Sequence, residues 1–294
     1  MQIGFIGLGV MGKPMATHLL AAGHALYSCA NVSEIDPDLI ARGLHVCASP
    51  AEVAQHSEVI ITMLPDTPDV EKVLLGDQGV LSAIAAGRVI IDMSSIAPAE
   101  TRHFASLANE AGCEYLDAPV SGGQTGAENA TLSIMVGGNL QTFEQMRPVF
   151  EILGQNINLV GDIGSGQVCK IANQIIVALN IEAVAEALVF ASRAGADPRK
   201  VRQALMGGFA NSKVLGHHAE KMIERRFEPG FRVDLHRKDL ALALDAAQQL
   251  GISLPNTAST QQLFNSCASR DGGGSRDHSS LVEALEALAH HRIA

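Results

Sequence analysis

The chain has 294 residues, of which 47% are hydrophobic and 18% are charged, a composition that excludes global disorder and a fibrous repeat. The 21 Lys and Arg residues against 31 Asp and Glu give a net charge of −10, and no basic cluster is longer than a pair, so we expect no nucleic-acid partner. The five cysteines include no CxxC pair, which favours reduced thiols in a cytoplasmic protein. We expect no secretory leader and no apolar run long enough to span a membrane.

The first half of the chain alternates β-like runs with helical segments, which is the pattern of βαβ units around a mainly parallel sheet. The predicted strands cover residues 3–6, 25–29, 59–63, 89–93, 114–116, 132–136 and 158–160. The predicted helices cover residues 11–22, 50–56, 69–74 and 98–111. The sequence therefore predicts an α/β domain over residues 1–163, with a Rossmann-like, doubly wound sheet that binds a dinucleotide.

After Gly161 the strand-like runs end and helical periodicity takes over, which predicts an all-α domain for substrate binding and oligomerisation over residues 164–294. This domain begins with a long interdomain helix over residues 164–193. Asp197 before Pro198 predicts the start of another helix, and Ser280 with Glu283 predicts a capping box that opens the last one.

The segment from residue 7 to residue 12 reads Gly-Leu-Gly-Val-Met-Gly, a GxGxxG motif between a predicted strand and a predicted helix. Gly7 allows a tight turn, Gly9 lets the backbone approach a pyrophosphate, and Gly12 allows close packing of the helix. The N–H groups at the start of that helix favour a bound anion. This context predicts a dinucleotide site rather than a purely structural turn.

The second predicted strand lacks the acidic residue that usually binds the ribose of NAD about 20 positions after the motif. Asn31 and Ser33 stand there instead, and Glu34 and Asp36 come late. Either of the first two side chains could bind a ribose, or both could be simple turn residues. The choice between NAD and NADP therefore stays open.

Lys170 lies on the long apolar helix, where lysine is rare unless it is paired or functional. An ammonium group there can protonate the alkoxide that forms when hydride reaches a carbonyl carbon. Asn173, one turn further along, could orient the same substrate oxygen. The alternative is a lysine that extends from the helix end into solvent.

Two further segments carry candidate contacts. Residues 117–123 read Asp-Ala-Pro-Val-Ser-Gly-Gly and could present backbone N–H groups to a carboxylate, or could form an ordinary turn. Lys238 and Asp239 lie in a charged run that could meet a cofactor or could face solvent. The eleven histidines contain no metal-ligand spacing such as HExxH, so we expect no metal.

Taken together, these segments resemble the β-hydroxyacid dehydrogenase family along essentially the whole chain. The resemblance implies that Gly7, Gly9, Val10, Met11 and Gly12 hold NAD or NADP, with Asn31 near the ribose. It implies that Leu64, Pro65 and Ser95 line the nicotinamide end and that Lys238 closes over it. Ser121, Gly122, Gly123 and Asn173 would bind the substrate, and Lys170 would be the general acid.

The activity that the resemblance implies is reduction of tartronate semialdehyde to glycerate, a small semialdehyde and its hydroxyacid. The nearest alternative is oxidation of 3-hydroxyisobutyrate or another 3-hydroxyacid. A cofactor-binding regulatory module that has lost its chemistry is an alternative of another class. The long apolar helix predicts a homo-dimer or homo-tetramer.

Overall fold

The computed structural model describes residues 1–30 and 34–293. The chain divides into two compact units, Met1–Lys170 (unit 1) and Ile171–Ala294 (unit 2). The division falls after the first turns of the long helix rather than at the expected boundary between residues 163 and 164, because hydrogen bonds tie those turns to unit 1.

Unit 1 contains a mixed sheet with helices on both faces. Its strands are β1 Gln2–Ile6, β2 Ala25–Cys29, β3 His45–Cys47, β4 Val59–Thr62, β5 Val89–Asp92, β6 Glu114–Asp117, β7 Val120–Ser121, β8 Leu132–Gly138 and β9 Gly154–Gly161. Its helices are α1 Gly12–Ala21, α2 Pro37–Ala41, α3 Pro50–Gln55, α4 Thr67–Leu75, α5 Pro98–Glu110, α6 Gly123–Glu128 and α7 Leu140–Leu153.

The strand order is β3-β2-β1-β4-β5-β6-β8-β7, with β9 paired to β8. The strands from β3 to β6 along this order are parallel, and the β6–β8 pair is antiparallel. The order reverses direction between β1 and β4, which is where ligands bind in doubly wound sheets. The predicted Rossmann-like fold is thus confirmed.

Successive residues of the central strands point to opposite faces of the sheet and pack in two separate cores. Ile61 and Ile91 pack in the core on one face, whereas Ile60 and Ile90 pack in the core on the other. Strands buried on both faces appear in the sequence as continuous apolar runs, and this is why they could be predicted.

Unit 2 is helical throughout its described residues. The long helix α8 Ser165–Arg193 starts in unit 1 and continues into it, followed by α9 Pro198–Leu205, α10 Lys213–Glu224, α11 Val233–Leu250, α12 Pro255–Ala268 and α13 Val282–Ala289. Asp197 caps α9 as predicted, and its side chain accepts from the Arg199 N–H. The core comes from α8 and from α10 to α13, and it includes the fully buried Phe264.

The predicted capping box at Ser280 and Glu283 is wrong. Ser280 lies inside a 3-10 turn, His278–Leu281, whose N-cap is Asp277. The Glu283 carboxylate instead binds Arg225, Arg270 and Arg276. Three cations hold that carboxylate away from the backbone, so it is not available as a helix cap.

Helix α8 is 29 residues long, with a mean hydropathy of 1.9 in its most apolar stretch, of which 33% is buried. By length and composition it could cross a membrane, although Glu182 and Glu186 interrupt its uncharged run. The core helix of a soluble protein meets the same criteria, so the expected lack of a membrane remains a prediction.

Candidate active site

The glycine motif forms the turn between β1 and α1. Gly7 has a φ of +108°, and a Cβ on it would lie 2.2 Å from the Met63 carbonyl oxygen. A Cβ on Gly12 would lie 1.8 Å from the Gly7 carbonyl oxygen. The chain itself therefore requires glycine at both positions.

Gly9 is different, because a Cβ there would meet no heavy atom of the described residues within 4 Å. Val10 beside it is 63% exposed, and Met11 directly precedes α1. An open backbone at a helix N-terminus fits the pyrophosphate of a dinucleotide. The residues present thus fit the expected cofactor.

The predicted ribose contact Asn31 lies outside the described residues, as does Ser33. Asp36, which arrives too late for the ribose position, serves another purpose. Its carboxylate caps α2 by accepting from the Asp38 N–H, and it forms an ion pair with Lys13.

The segments after β4 and β5 are joined through Ser94. Its hydroxyl accepts from the Leu64 N–H at 2.9 Å, and its own N–H donates to Asp92 Oδ1 at 3.0 Å. Asp92 is buried, and burial raises the pKa of its carboxyl group, against the hydrogen bonds from Ser94 and Thr62. This arrangement ties Leu64, next to the exposed Pro65, to Ser94, the residue before the half-buried Ser95.

The candidate substrate loop follows β6. Ser121 ends β7 and is half-buried, and the N-cap Gly122 and the first residue of α6, Gly123, have φ of +136° and +60°. Both values lie in the region that favours glycine. The turn therefore depends on the residues that the sequence analysis named.

Lys170 is 7% exposed and stands on α8. The start of this helix is anchored to Asp117, whose carboxylate accepts from the Gly164 N–H and the Gln167 N–H, each at 2.8 Å. Burial raises the pKa of the Asp117 carboxyl, and these backbone N–H groups oppose the shift. The loop containing Asp117 and the helix containing Lys170 are therefore one connected structure.

In unit 2, Asn173 and Lys238 are connected through two buried side chains. The Asn173 amide donates to Gln174 Oε1 at 2.7 Å, and the Gln174 amide donates to Asp239 Oδ2 at 2.5 Å. Lys238 Nζ lies 3.1 Å from Asp239 Oδ1. The role of Gln174 was not predicted, although its place directly after Asn173 on an otherwise apolar helix was a usable signal.

The structure gathers the unit 1 candidates at one edge of the sheet. The glycine motif, Leu64, Ser95 and the Ser121 loop follow β1, β4, β5 and β6, four adjacent parallel strands, at their carboxyl ends. In unit 2, Asn173 is connected to Lys238 through Gln174 and Asp239. Gln167, which is buried beside this edge and binds the segment after β5, was not predicted from the sequence.

Unit 2 also holds a histidine group that sequence spacing did not reveal. Ligand atoms of His218, Asp277 and His278 lie within 4.8 Å of one another among the described residues. Asp277 Oδ2 accepts from Lys221 Nζ and the Gly230 N–H, each at 2.9 Å. These contacts give the carboxylate a packing role, and the expected lack of a metal remains a prediction.

Comparison with protein families matches both parts of the chain. Residues 2–161 match the model described as the NAD binding domain of 6-phosphogluconate dehydrogenase. Residues 164–285 match the model described as the NAD-binding domain of NADP-dependent 3-hydroxyisobutyrate dehydrogenase. The chain is also 56% identical over 294 residues to the 2-hydroxy-3-oxopropionate reductase of Escherichia coli (strain K12), covering 100% of both chains.

The chain belongs to the β-hydroxyacid dehydrogenase family. This dehydrogenase is also 41% identical to the 2-(hydroxymethyl)glutarate dehydrogenase of Eubacterium barkeri, over 98% of this chain and 95% of that one. Among solved structures it resembles Mycobacterium tuberculosis 3-hydroxyisobutyrate dehydrogenase, with a TM-score of 0.89 and 32% identity over 97% and 98% of the two chains. Nicotinamide dinucleotide is therefore its class of cofactor, and it is an oxidoreductase.

Proposed function

We propose that this enzyme reduces tartronate semialdehyde (2-hydroxy-3-oxopropanoate) to glycerate with NADH or NADPH and without a metal ion. The observation that carries the proposal is the 56% identity over the full chain to a reductase named for that substrate. The buried lysine on α8 supports it, because reduction of an aldehyde needs a proton donor beside the carbonyl oxygen.

The cofactor supplies hydride to the aldehyde carbon when bound. The chain's own residues do the rest. Lys170 donates a proton to the aldehyde oxygen, so that one hydride and one proton convert the aldehyde to an alcohol. Ser121, Gly122 and Gly123 bind the substrate carboxylate, and Asn173 orients its hydroxyl or carbonyl oxygen.

Cofactor binding is assigned to Gly7, Gly9, Val10, Met11 and Gly12, with Asn31, Leu64, Pro65, Ser95 and Lys238. Gly9 gives this assignment its best support, because open backbone there admits a pyrophosphate. The Asp36 carboxylate forms an ion pair with Lys13 and caps the N-terminus of α2. Asp36 is therefore not available to a ribose hydroxyl, and the two cofactors must be compared directly.

We propose a cytoplasmic homo-dimer or homo-tetramer that acts on a small molecule and binds no nucleic acid. The described surface of α8 supports the assembly, since Ile176 is 62% and Phe190 is 74% exposed. A helix that is apolar around most of its circumference and is only partly covered by its own chain is typical of an interface.

The test is an initial-rate assay that follows loss of the reduced nicotinamide absorbance, with tartronate semialdehyde and with NADH and NADPH in separate runs. Saturable turnover supports the proposal and settles the cofactor. We expect Lys170→Met to lower kcat by about 10²–10⁴-fold while leaving cofactor binding intact. Wild-type turnover in that variant would contradict the assigned role of Lys170.

The second candidate is oxidation of 3-hydroxyisobutyrate, which the family model over residues 164–285 favours. Methylmalonate semialdehyde replaces a substrate hydroxyl by a methyl group, so a polar pocket should reject it strongly. If it reacts and tartronate semialdehyde does not, the second candidate replaces the first. A protein that binds cofactor and reduces neither compound would favour a regulatory module.

A further inference from the structure

Gln167 is a fully buried side chain of unit 1 that makes two hydrogen bonds to one short backbone segment. Its Oε1 accepts from the Ile96 N–H at 3.1 Å, and its Nε2 donates to the Ser94 carbonyl oxygen at 2.8 Å. Ser95 lies between these two residues. A single amide group therefore fixes the backbone on both sides of the residue assigned to the nicotinamide end.

The same segment is tied to the neighbouring strand end. The Ser94 hydroxyl accepts from the Leu64 N–H, and Asp92 Oδ1 accepts from the Ser94 N–H. Asp92 Oδ1 also accepts from the Thr62 hydroxyl at 2.8 Å. The backbone around Ser95 thus moves only if the ends of β4 and β5 and the side chain of Gln167 move with it.

Gln167 is itself held at its backbone. Its N–H donates to the buried Asp117 carboxylate at 2.8 Å. Lys170 follows three residues later on the same helix, about 4.5 Å along its axis at 1.5 Å per residue. The separation between the Ser95 backbone and the Lys170 backbone is therefore set by one helical turn and one amide side chain.

We propose that Gln167 is a positioning residue that fixes the cofactor segment around Ser95 relative to the proton donor Lys170. This inference rests on the proposed function. Glutamine suits the task because its amide offers a donor and an acceptor together. A methionine of similar length offers no N–H donor, and an ionised glutamate offers no donor.

The consequence follows from the reaction. Hydride and proton must reach adjacent atoms of one carbonyl group, so an error of about 1 Å in either position is expected to cost as much as about 10²-fold in rate. Binding of the two ligands depends on other contacts. Loss of the amide should therefore lower kcat much more than it raises KM.

The experiment compares wild type, Gln167→Met and a control, Ser57→Ala. Ser57 is also buried in unit 1, and its hydroxyl donates to the Val53 carbonyl oxygen away from the candidate site. Steady-state kinetics are measured together with the kinetic isotope effect from reduced nicotinamide carrying deuterium at the transferred position. Thermal melting of each variant reports the loss of stability.

For Gln167→Met we expect kcat to fall by about 10–100-fold, KM values to change by less than about threefold, and the isotope effect to rise, because hydride transfer becomes rate-limiting. Ser57→Ala should melt earlier with the kcat and isotope effect of wild type. A folded Gln167→Met with wild-type kcat and isotope effect would overturn the inference. Absence of turnover in wild type would instead contradict the proposed function.

Gln167→Glu provides a second test of the positioning role if the methionine variant does not fold. Burial raises the pKa of a carboxyl group, and the protonated group can donate to the Ser94 carbonyl and accept from the Ile96 N–H. The kcat of this variant relative to wild type should therefore increase as pH falls. A ratio that is constant with pH, in a protein that stays folded, would also overturn the inference.

Discussion

The two units differ in which buried ionisable groups have their neutral form favoured. Unit 1 buries Asp92 and Asp117, and burial raises the pKa of both carboxyl groups. Unit 2 buries imidazoles, and burial lowers the pKa of His218 to about 4 and that of His278 well below its usual value. For these carboxyl and imidazole groups the neutral form is favoured, so acid has opposite effects on them; the buried Asp277 of unit 2, which pairs with Lys221, is an exception.

The difference follows from what the groups bind. The carboxylates of unit 1 accept hydrogen bonds from backbone N–H groups around the candidate site. The imidazoles of unit 2 bind one another, with His236 Nδ1 2.9 Å from His278 Nδ1 and His278 Nε2 3.2 Å from His218 Nε2. Unit 1 therefore uses its buried groups to shape a site, whereas unit 2 uses them to join α10, α11 and the segment before α13.

The largest effect is expected from Asp117→Ala in unit 1. The substitution leaves the Gly164 and Gln167 N–H groups buried without their acceptor, at about 1–3 kcal/mol each, so we expect a loss of about 3–5 kcal/mol in the free energy of unfolding. Urea unfolding of the protein measures it. Asp117→Asn keeps one acceptor oxygen and serves as the matched variant; equal stability of Asp117→Ala and wild type would refute the anchoring role.

The next effect is the pH response of unit 2. Folded His218 titrates near 4 against an ordinary 6.5, so the unfolded chain binds an additional proton between these values and stability falls as the pH decreases through this range. From about pH 7 to about pH 5 we expect His218 to account for a loss of about 2 kcal/mol. Urea midpoints at the two pH values measure it.

A neighbouring histidine gives the control. His217→Gln removes an exposed imidazole that makes only a minor contribution to the lowered pKa of His218, so it should change the pH response little, whereas His218→Gln should reduce it strongly. The raised pKa values of Asp92 and Asp117 act in the other direction, because a folded state that holds these protons more tightly gains stability as pH falls toward their ordinary range. If both histidine variants lose the same free energy of unfolding as the pH falls, His218 is not the source of the pH response and the contrast between the units fails.

The third effect concerns the surface rather than the interior of unit 2. Phe190→Asp should shift the assembly toward a smaller species by placing a charge in the proposed interface, with a cost of about 2 kcal/mol or more per subunit pair. Leu250→Asp is the matched control, since Leu250 is 73% exposed against 74% for Phe190. Light scattering measures the mass of each variant. An unchanged mass for Phe190→Asp would contradict the assignment of α8 to the interface.

Local signals in the sequence predicted seven of the nine strands, the glycine turn and the extent of α8, and they missed the short strands β3 and β7. Helix α7 was missed, and Pro148 in its interior is the kind of residue that argues against a helix. The roles of Gln167 and the histidine group could not be predicted, because their partners lie far away in sequence. Gln167 meets Ser94 and Ile96 across more than 70 positions, and His278 meets His236 across 42.

The smallest expected effect is the loss of a helix cap, which should be the same in both units. Asn139 caps α7 in unit 1 and Asp197 caps α9 in unit 2, and both residues are exposed. Because water solvates the groups left behind, Asn139→Ala and Asp197→Ala should each cost only about 1 kcal/mol. Urea unfolding of the two variants side by side checks this. A cost several times larger in one unit would mean that the contrast extends beyond the buried groups to the helix ends at the surface.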